Sequence, residues 1–192
     1  MAKSKIMEWD ELNLLRSSAE DMIREYRNAN KDARDGIVSR WCDYMEFVLC
    51  LIYAYGWEDA EEIIGIVPFK NGLDDKAVNL DINGETYRDR IQKQLDADSM
   101  DGILRIIDTE AHRDYNTGIF DAGKESGIAG LKKTWWTMMD DRVRDEHSYL
   151  QGVKVGIDDY FYTDTGDYAL YPGGFGVPEL DVNCRCFVTL SI

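Results

Sequence analysis

From Ile37 to Tyr55 the chain reads IVSRWCDYMEFVLCLIYAY, and its apolar residues cover most of the circumference of a helix. A helix with so little solvent face must lie at the centre of a fold or pack on a partner. Its longest unbroken apolar stretch, FVLCLIYAY, ends at Tyr55 before Gly56. A bilayer span needs about 20 apolar residues, so the expectation is a buried helix and not a membrane anchor.

The flanking sequence supplies cover. Trp9, Leu12, Leu15, Ala19, Met22, Ile23 and Tyr26 recur at three- and four-residue spacing, which predicts an amphipathic helix over 7–30. Gly36 interrupts the pattern, and WEDAEEII after Gly56 predicts a further short helix. Residues 65–84 contain Pro68, Asn71, Gly72, Asn79 and the pair Asn83-Gly84, the composition of a connector. Helix resumes at ETYRDRIQKQL. It appears again over about 99–122, where Met100, Ile103, Leu104, Ile107, Ala111, Tyr115 and Ile119 form one stripe. Ser99 is placed to cap that helix.

Past Gly123 the texture changes. LKKTWWTM, dense in Thr and Trp, predicts a strand. Asp140 or Asp141 can start a short helix running through His147 to about Gln151, with Gly152 placed to end it. GVKV and DYFYT read as short strands, YPGGFGVP as an irregular loop and CRCFVTLSI as a closing strand. The fold class is therefore α+β: a helical N-terminal region followed by a small α+β C-terminal module with short antiparallel strands. The divisions expected are a helical docking region at 1–64, a connector at 65–84, a second helical part at 85–130 and the α+β module at 131–192.

Charge limits the partners. Thirty-seven acidic against 22 basic residues leave a net −15, which repels nucleic-acid backbones and anionic membranes. MAKSK followed by MEWDELNLL has no signal-peptide core, so the four cysteines are expected to be reduced. Cys42 and Cys50 fall in the apolar helix and read as core packing.

The tail pair differs. In an extended strand Cys184, Cys186, Val188, Leu190 and Ile192 share one face, with Arg185, Phe187, Thr189 and Ser191 opposite. Two strand rises separate the cysteine alpha carbons by roughly 6.5–7 Å, at the limit for an unstrained disulfide. Two thiolates on one face could instead share a soft metal ion such as zinc, with His147 as third ligand and Asp140 or Asp141 as fourth. The bland alternative is a pair of buried cysteines beside a hydrogen-bonded histidine. A Cys–His nucleophile would need an accessible thiol, and the strand pattern turns both inward. Asp140, Arg144, His147 and Gln151 would line one polar stripe if the segment were helical. Arg142, Arg144 and Arg185 could otherwise donate to carbonyls and carboxylates, tying the YPGGFG loop to the sheet.

Taken in order, these residues resemble the phage Mu F-like minor head proteins. The shared pattern is Lys133 and Trp135, then Asp140, Arg142, Arg144 and His147, then Gly152, Pro172 with Gly173, and last Asn183, Cys184, Arg185 and Cys186. Upstream, Thr109-Glu110 with Asn116 and Gly118 is similar to the family's Arg-Thr-Glu helix, and the resemblance spans about 82–192. Asp108 stands where the family often has Arg, a departure that bears on any polar network centred on Glu110.

The resemblance implies a minor structural protein of a tailed-phage or prophage head. Such a protein acts in head morphogenesis and near the portal, in DNA packaging or ejection. Its partners would be the portal protein and other head proteins. It would reside in the virion, at the capsid interior or portal vertex, and in the host cytoplasm during assembly. No catalytic activity and no required cofactor follow from the motif. Packaged DNA is a further partner that the family allows and the net charge disfavours, with Lys132, Lys133, Arg142 and Arg144 as a local basic patch. Two other classes remain open on residues alone. One is a metal- or thiol-dependent phage-borne enzyme or toxin using His147 with Cys184 or Cys186. The other is a small acidic regulator that mimics DNA.

Overall fold

The computed structural model describes residues 9–68 and 84–192. Most of the expected 65–84 connector therefore lies outside the described residues. The first helix, α1 (Asp10–Asn28), buries Leu12, Leu15, Ala19, Met22, Ile23 and Tyr26, the stripe its spacing predicts. The second, α2, runs without a break from Lys31 to Ile64, its start capped by the Asn30 side chain on the Ala33 N–H at 3.0 Å. This corrects the expectation of one helix ending at Tyr55 and a separate short one after it. Neither Gly36 nor Gly56 stops the helix.

Helix α3 (Tyr87–Asp96) opens with a capping box between Thr86 and Asp89. Helix α4 (Met100–Ser126) begins at Ser99, whose hydroxyl accepts the Gly102 N–H at 3.1 Å, and stops at Gly127 in the left-handed conformation. The packing of α2 on α4 is the most extensive between any two elements described, and α1 lies against both.

Glycine makes that packing close. A Cβ on Gly56 would stand 2.1 Å from the Tyr115 carbonyl oxygen, and one on Gly118 would stand 2.1 Å from that of Tyr53. Each helix thus sets its bare backbone against the other's carbonyl. The Gly56 that seemed to end a helix is the point of contact.

The tail builds a three-stranded antiparallel sheet in which β1 (Lys132–Trp136) is central, flanked by β2 (Lys154–Gly156) and β5 (Phe187–Ser191). Opposite β1, Trp135 faces Val188 and Lys133 faces Leu190 across the β5 ladder. A two-stranded hairpin joins β3 (Phe161–Tyr162) to β4 (Tyr168–Ala169). Two short helices, α5 (Asp145–Ser148) and α6 (Pro178–Asp181), fill the remaining turns. Strand β5 packs on both α4 and α2, so a single apolar cluster reaches from Leu12 to Leu190. α2 is therefore covered from within the chain, and its buried face does not require a partner.

Two tail expectations are corrected. The helix drawn from Asp140 to Gln151 shrinks to α5, so Asp140, Arg144, His147 and Gln151 form no stripe. Gln151 Oε1 instead accepts both the N–H and the hydroxyl of Thr137, each at 2.7 Å, and Asp140 caps the Arg142 N–H at 3.1 Å. Those bonds favour turn over helix. The closing strand begins at Phe187, not Cys184, because its ladder ends where β1 ends, at the Trp136–Phe187 pair. Phe187 is buried with Val188 and Leu190 although it lies on the opposite face, while Ile192 is exposed.

Gly118→Ala tests the helix crossing. Alanine favours an isolated helix by about 1 kcal/mol, yet here its methyl would meet backbone. We expect a net loss of about 1–3 kcal/mol in urea unfolding, with Gly36→Ala, whose nearest neighbour is the flexible end of Arg40, neutral or stabilising as the control.

Candidate functional site

Helix α4 carries the polar framework beneath the tail. Every residue from Thr109 to Phe120 is buried, although the segment reads TEAHRDYNTGIF. Polar groups so enclosed need partners. The Asn116 amide donates to the carbonyls of His112 at 2.8 Å and Cys186 at 3.2 Å, and its oxygen accepts the Val188 N–H at 3.0 Å. One side chain thus occupies the place of a neighbouring strand along residues 186–188. Two turns earlier, Thr109 Oγ1 accepts the Asn183 N–H at 3.2 Å. Asn183 itself takes a left-handed conformation, φ 57°, which Asn tolerates better than most residues.

Glu110 is completely buried and pairs with Arg90 of α3 at 2.7 Å and with Arg113. Arg113 also lies 3.3 Å from Asp114, whose carboxyl burial pushes up to about 8 while Arg113 pulls it the other way. Asp108, in the place of a family Arg, pairs with Arg16 of α1 at 2.7 Å. Glu110 draws its cations from Arg90 and Arg113, so the Asp108 departure does not deprive it of them. Against Arg113 rests the turn formed by buried Pro172 and Gly173. A Cβ at Gly173, where φ is +84°, would come 3.1 Å from the Arg113 Cβ.

Beside Trp135 of β1 lies the second cluster. Buried His147, held in α5, directs Nδ1 at two sulfurs, Cys186 Sγ at 3.5 Å and Cys184 Sγ at 3.6 Å. The two cysteines are free thiols. Trp135 meets the imidazole edge-on at 5.7 Å, and Phe175 stacks on it at 5.5 Å. The nearby thiol of Cys186, together with burial, pushes the Cys184 thiol up, whereas the hydrogen bond from Cys184 draws the Cys186 thiol down against burial, helped by Trp135, Arg144 and Arg185.

The structure thus brings together His147, Cys184 and Cys186, with Trp135 beside them. Asp140 is not among them: its carboxylate takes a two-pronged bond from Arg185, at 2.6 and 2.8 Å, which holds it well below the usual range, at about 2. Arg144 donates to the Val182 carbonyl. Arg142 is mostly exposed, 3.6 Å from Asp140. None of these three arginines binds the YPGGFG loop in the bonds described. That loop is held by Asp181, which accepts the N–H groups of Phe175 at 3.1 Å and Gly176 at 2.7 Å. Gly152, at φ +74°, follows α5 and donates its N–H to the Trp135 carbonyl at 2.8 Å.

Lys133 corrects the basic patch. It is buried, donates to the Ile157 carbonyl at 2.8 Å and stands 4.7 Å over the Phe120 ring, and burial lowers its amine to about 8. It cannot join Lys132, Arg142 and Arg144 on a DNA-facing surface. Both tail thiols are equally enclosed, so neither offers the accessible sulfur that a cysteine nucleophile needs. The sequence reading missed Arg90, Arg113, Asp181 and the bonding role of Asn116.

The family model for phage Mu protein F like protein matches residues 75–189. The chain belongs to this family. Among curated proteins, this Mu F-like chain is 29% identical over 79 residues to "Minor head protein GP7" of Bacillus phage SPP1, a match covering 41% of this chain and 26% of the relative. It is 41% identical over 86 residues to "NAD(+)--arginine ADP-ribosyltransferase EFV" of Enterococcus faecalis (strain ATCC 700802 / V583), covering 43% of this chain and 17% of that protein. The chain therefore spans about a quarter or less of either relative. No solved structure gives a significant match. The second relative corrects the expectation that no enzyme is implied: a protein similar to 43% of this chain is named as an enzyme.

Two measurements probe this framework. Asn116→Ala would leave the Val188 N–H and the Cys186 carbonyl short of a partner, with an expected loss of about 2–4 kcal/mol in chemical unfolding. His112 gives a pH signature. Burial, reinforced by Arg185 and Arg16, lowers its pKa to about 4. The unfolded chain takes up that proton near pH 6.5 and the folded chain does not, so this contribution to stability is lost as pH falls from 6.5 to 4. The loss is about 3 kcal/mol. His112→Gln should flatten the pH dependence of urea unfolding across that window by close to one proton.

Proposed function

We propose that this Mu F-like chain is a minor structural component of a tailed-phage or prophage head, acting in head morphogenesis close to the portal, where DNA is packaged or ejected. The observation that carries this reading is the family match across the framework residues, joined with the likeness to a protein named as a minor head protein. The buried character of the motif supports it. Glu110, Lys133, Trp135, His147, Cys184 and Cys186 are all enclosed, as befits residues that hold a module rigid for assembly. In this reading the helical region 1–64 docks on the portal or another head protein, and the 131–192 module is presented as a stiff unit. The chain resides in the virion, with the host cytoplasm as its place of assembly. The net −15 charge favours protein partners over packaged DNA.

The 41% identity to the transferase favours a second reading, NAD+-dependent modification of arginine side chains. Incubation with labelled NAD+ and an arginine-containing acceptor tests it, and absence of transferred label overturns it.

For the leading reading, a tagged copy expressed during infection should co-purify with portal protein and with assembled heads. Recovery free of both, from a lysate in which heads form normally, would overturn it.

A further inference from the structure

The arrangement around His147 is ill suited to hydrogen bonding alone. Cys184 Sγ and Cys186 Sγ converge on the same ring nitrogen, Nδ1, at 3.6 and 3.5 Å. A neutral imidazole nitrogen has either one lone pair or one proton, so it makes one good bond and not two. The other ring nitrogen, Nε2, is buried and accepts or donates no hydrogen bond among the described residues. Three potential ligands, all enclosed, have their donor atoms within 4.8 Å of one another.

We propose that His147 Nδ1, Cys184 Sγ and Cys186 Sγ bind one zinc ion, with a solvent molecule as fourth ligand. The spacing supports this directly. Tetrahedral zinc, with bonds of about 2.3 Å to sulfur and 2.0–2.1 Å to nitrogen, places adjacent sulfur and nitrogen ligands about 3.6 Å apart. Both observed N···S distances match that edge. The ligand set also fits the ion: two thiolates and an imidazole are the soft and borderline donors that zinc favours. Two thiolates neutralise the dication, so the assembled centre can be buried with no net charge.

The fourth position faces a crevice lined by Met138, Arg142, Arg144 and Asn183 together with the ligands. Its free volume of about 10 Å³ is on the order of one water. Asp140 does not fill the place, because Arg185 holds it. Buried Asp181 interacts electrostatically with His147 but is held by the Phe175 and Gly176 N–H groups. The metal would fasten the lead-in of β5 to α5, joining residues 37 and 39 apart in sequence.

The experiment uses the full chain without a histidine tag, stripped with chelator under reducing conditions and reloaded with zinc. After removal of free metal, wild type should retain close to one equivalent. Cys184→Ser, Cys186→Ser and His147→Gln should each retain less than a fifth, and Cys50→Ser should match wild type. Chelation should lower the melting temperature of wild type and of Cys50→Ser, and leave the tail cysteine variants unmoved. Should the variants not fold, cobalt(II) loading of wild type decides. Intense tetrahedral bands with thiolate-to-cobalt charge transfer, shifted by added thiocyanate, are expected. Wild-type retention below a tenth of an equivalent, full retention by both tail serine variants, or a pale octahedral cobalt spectrum would each overturn the site. Tetrahedral bands insensitive to thiocyanate would overturn the solvent-filled fourth position.

Discussion

The architecture hangs on a place where two helices touch without side chains between them. Gly56 and Gly118 let α2 and α4 approach until a methyl group on either would collide with a carbonyl of the other. Interaxial spacing is normally set by the side chains at the contact. Here it is set by the backbone, and α4 is drawn into the middle of the molecule. Its opposite face then meets the sheet. Asn116 lies two residues before Gly118, so the depth of the crossing also positions the amide that engages Cys186 and Val188.

Enclosing α4 has an electrostatic cost that the chain meets with pairing. Glu110, Arg113 and Asp114 are carried out of water together with Arg90 in partial contact. Buried charges of this kind add little net stability, yet removing one partner strands the others. The Pro172-Gly173 turn resting on Arg113 and the Thr109 bond to Asn183 extend that arrangement into the tail. The motif residues that looked like a site are therefore mostly joints. Lys133 holds the β2 end through Ile157, Arg144 holds Val182 and Arg185 holds Asp140.

Much of this could be read from residues. The α1 stripe, the Ser99 cap, the change from helix to strand after Gly123 and the inward turn of Cys184 and Cys186 all follow from local periodicity and capping chemistry. What stayed hidden depends on partners far along the chain. A glycine within a helix-forming run reads as a breaker until the facing helix is known, which is why α2 was divided at Gly56. The segment TEAHRDYNTGIF has too many polar residues for an apolar-stripe argument to call it central, yet it is the most enclosed stretch of α4. Its polarity is satisfied by Arg90, Asn183 and Val188, and none of those pairings leaves a periodic trace. The Asp140–Gln151 helix failed for a similar reason: Gln151 was already committed to Thr137.

The Asn116 clamp also has a bearing on how the chain acquires its shape. Its carbonyl and amide partners lie 70 and 72 residues downstream. During synthesis α1, α2 and α4 can meet through the glycine crossing while the sheet still lacks its flanking strand β5. Until residues 186–188 are made, the Asn116 side chain lacks the Cys186 and Val188 partners it has in the folded chain. Closure of the tail is thus a late, long-range event in a chain whose earlier contacts are already made. In a growing chain the glycine crossing of α2 and α4 can thus form before the strand that Asn116 clamps has been made.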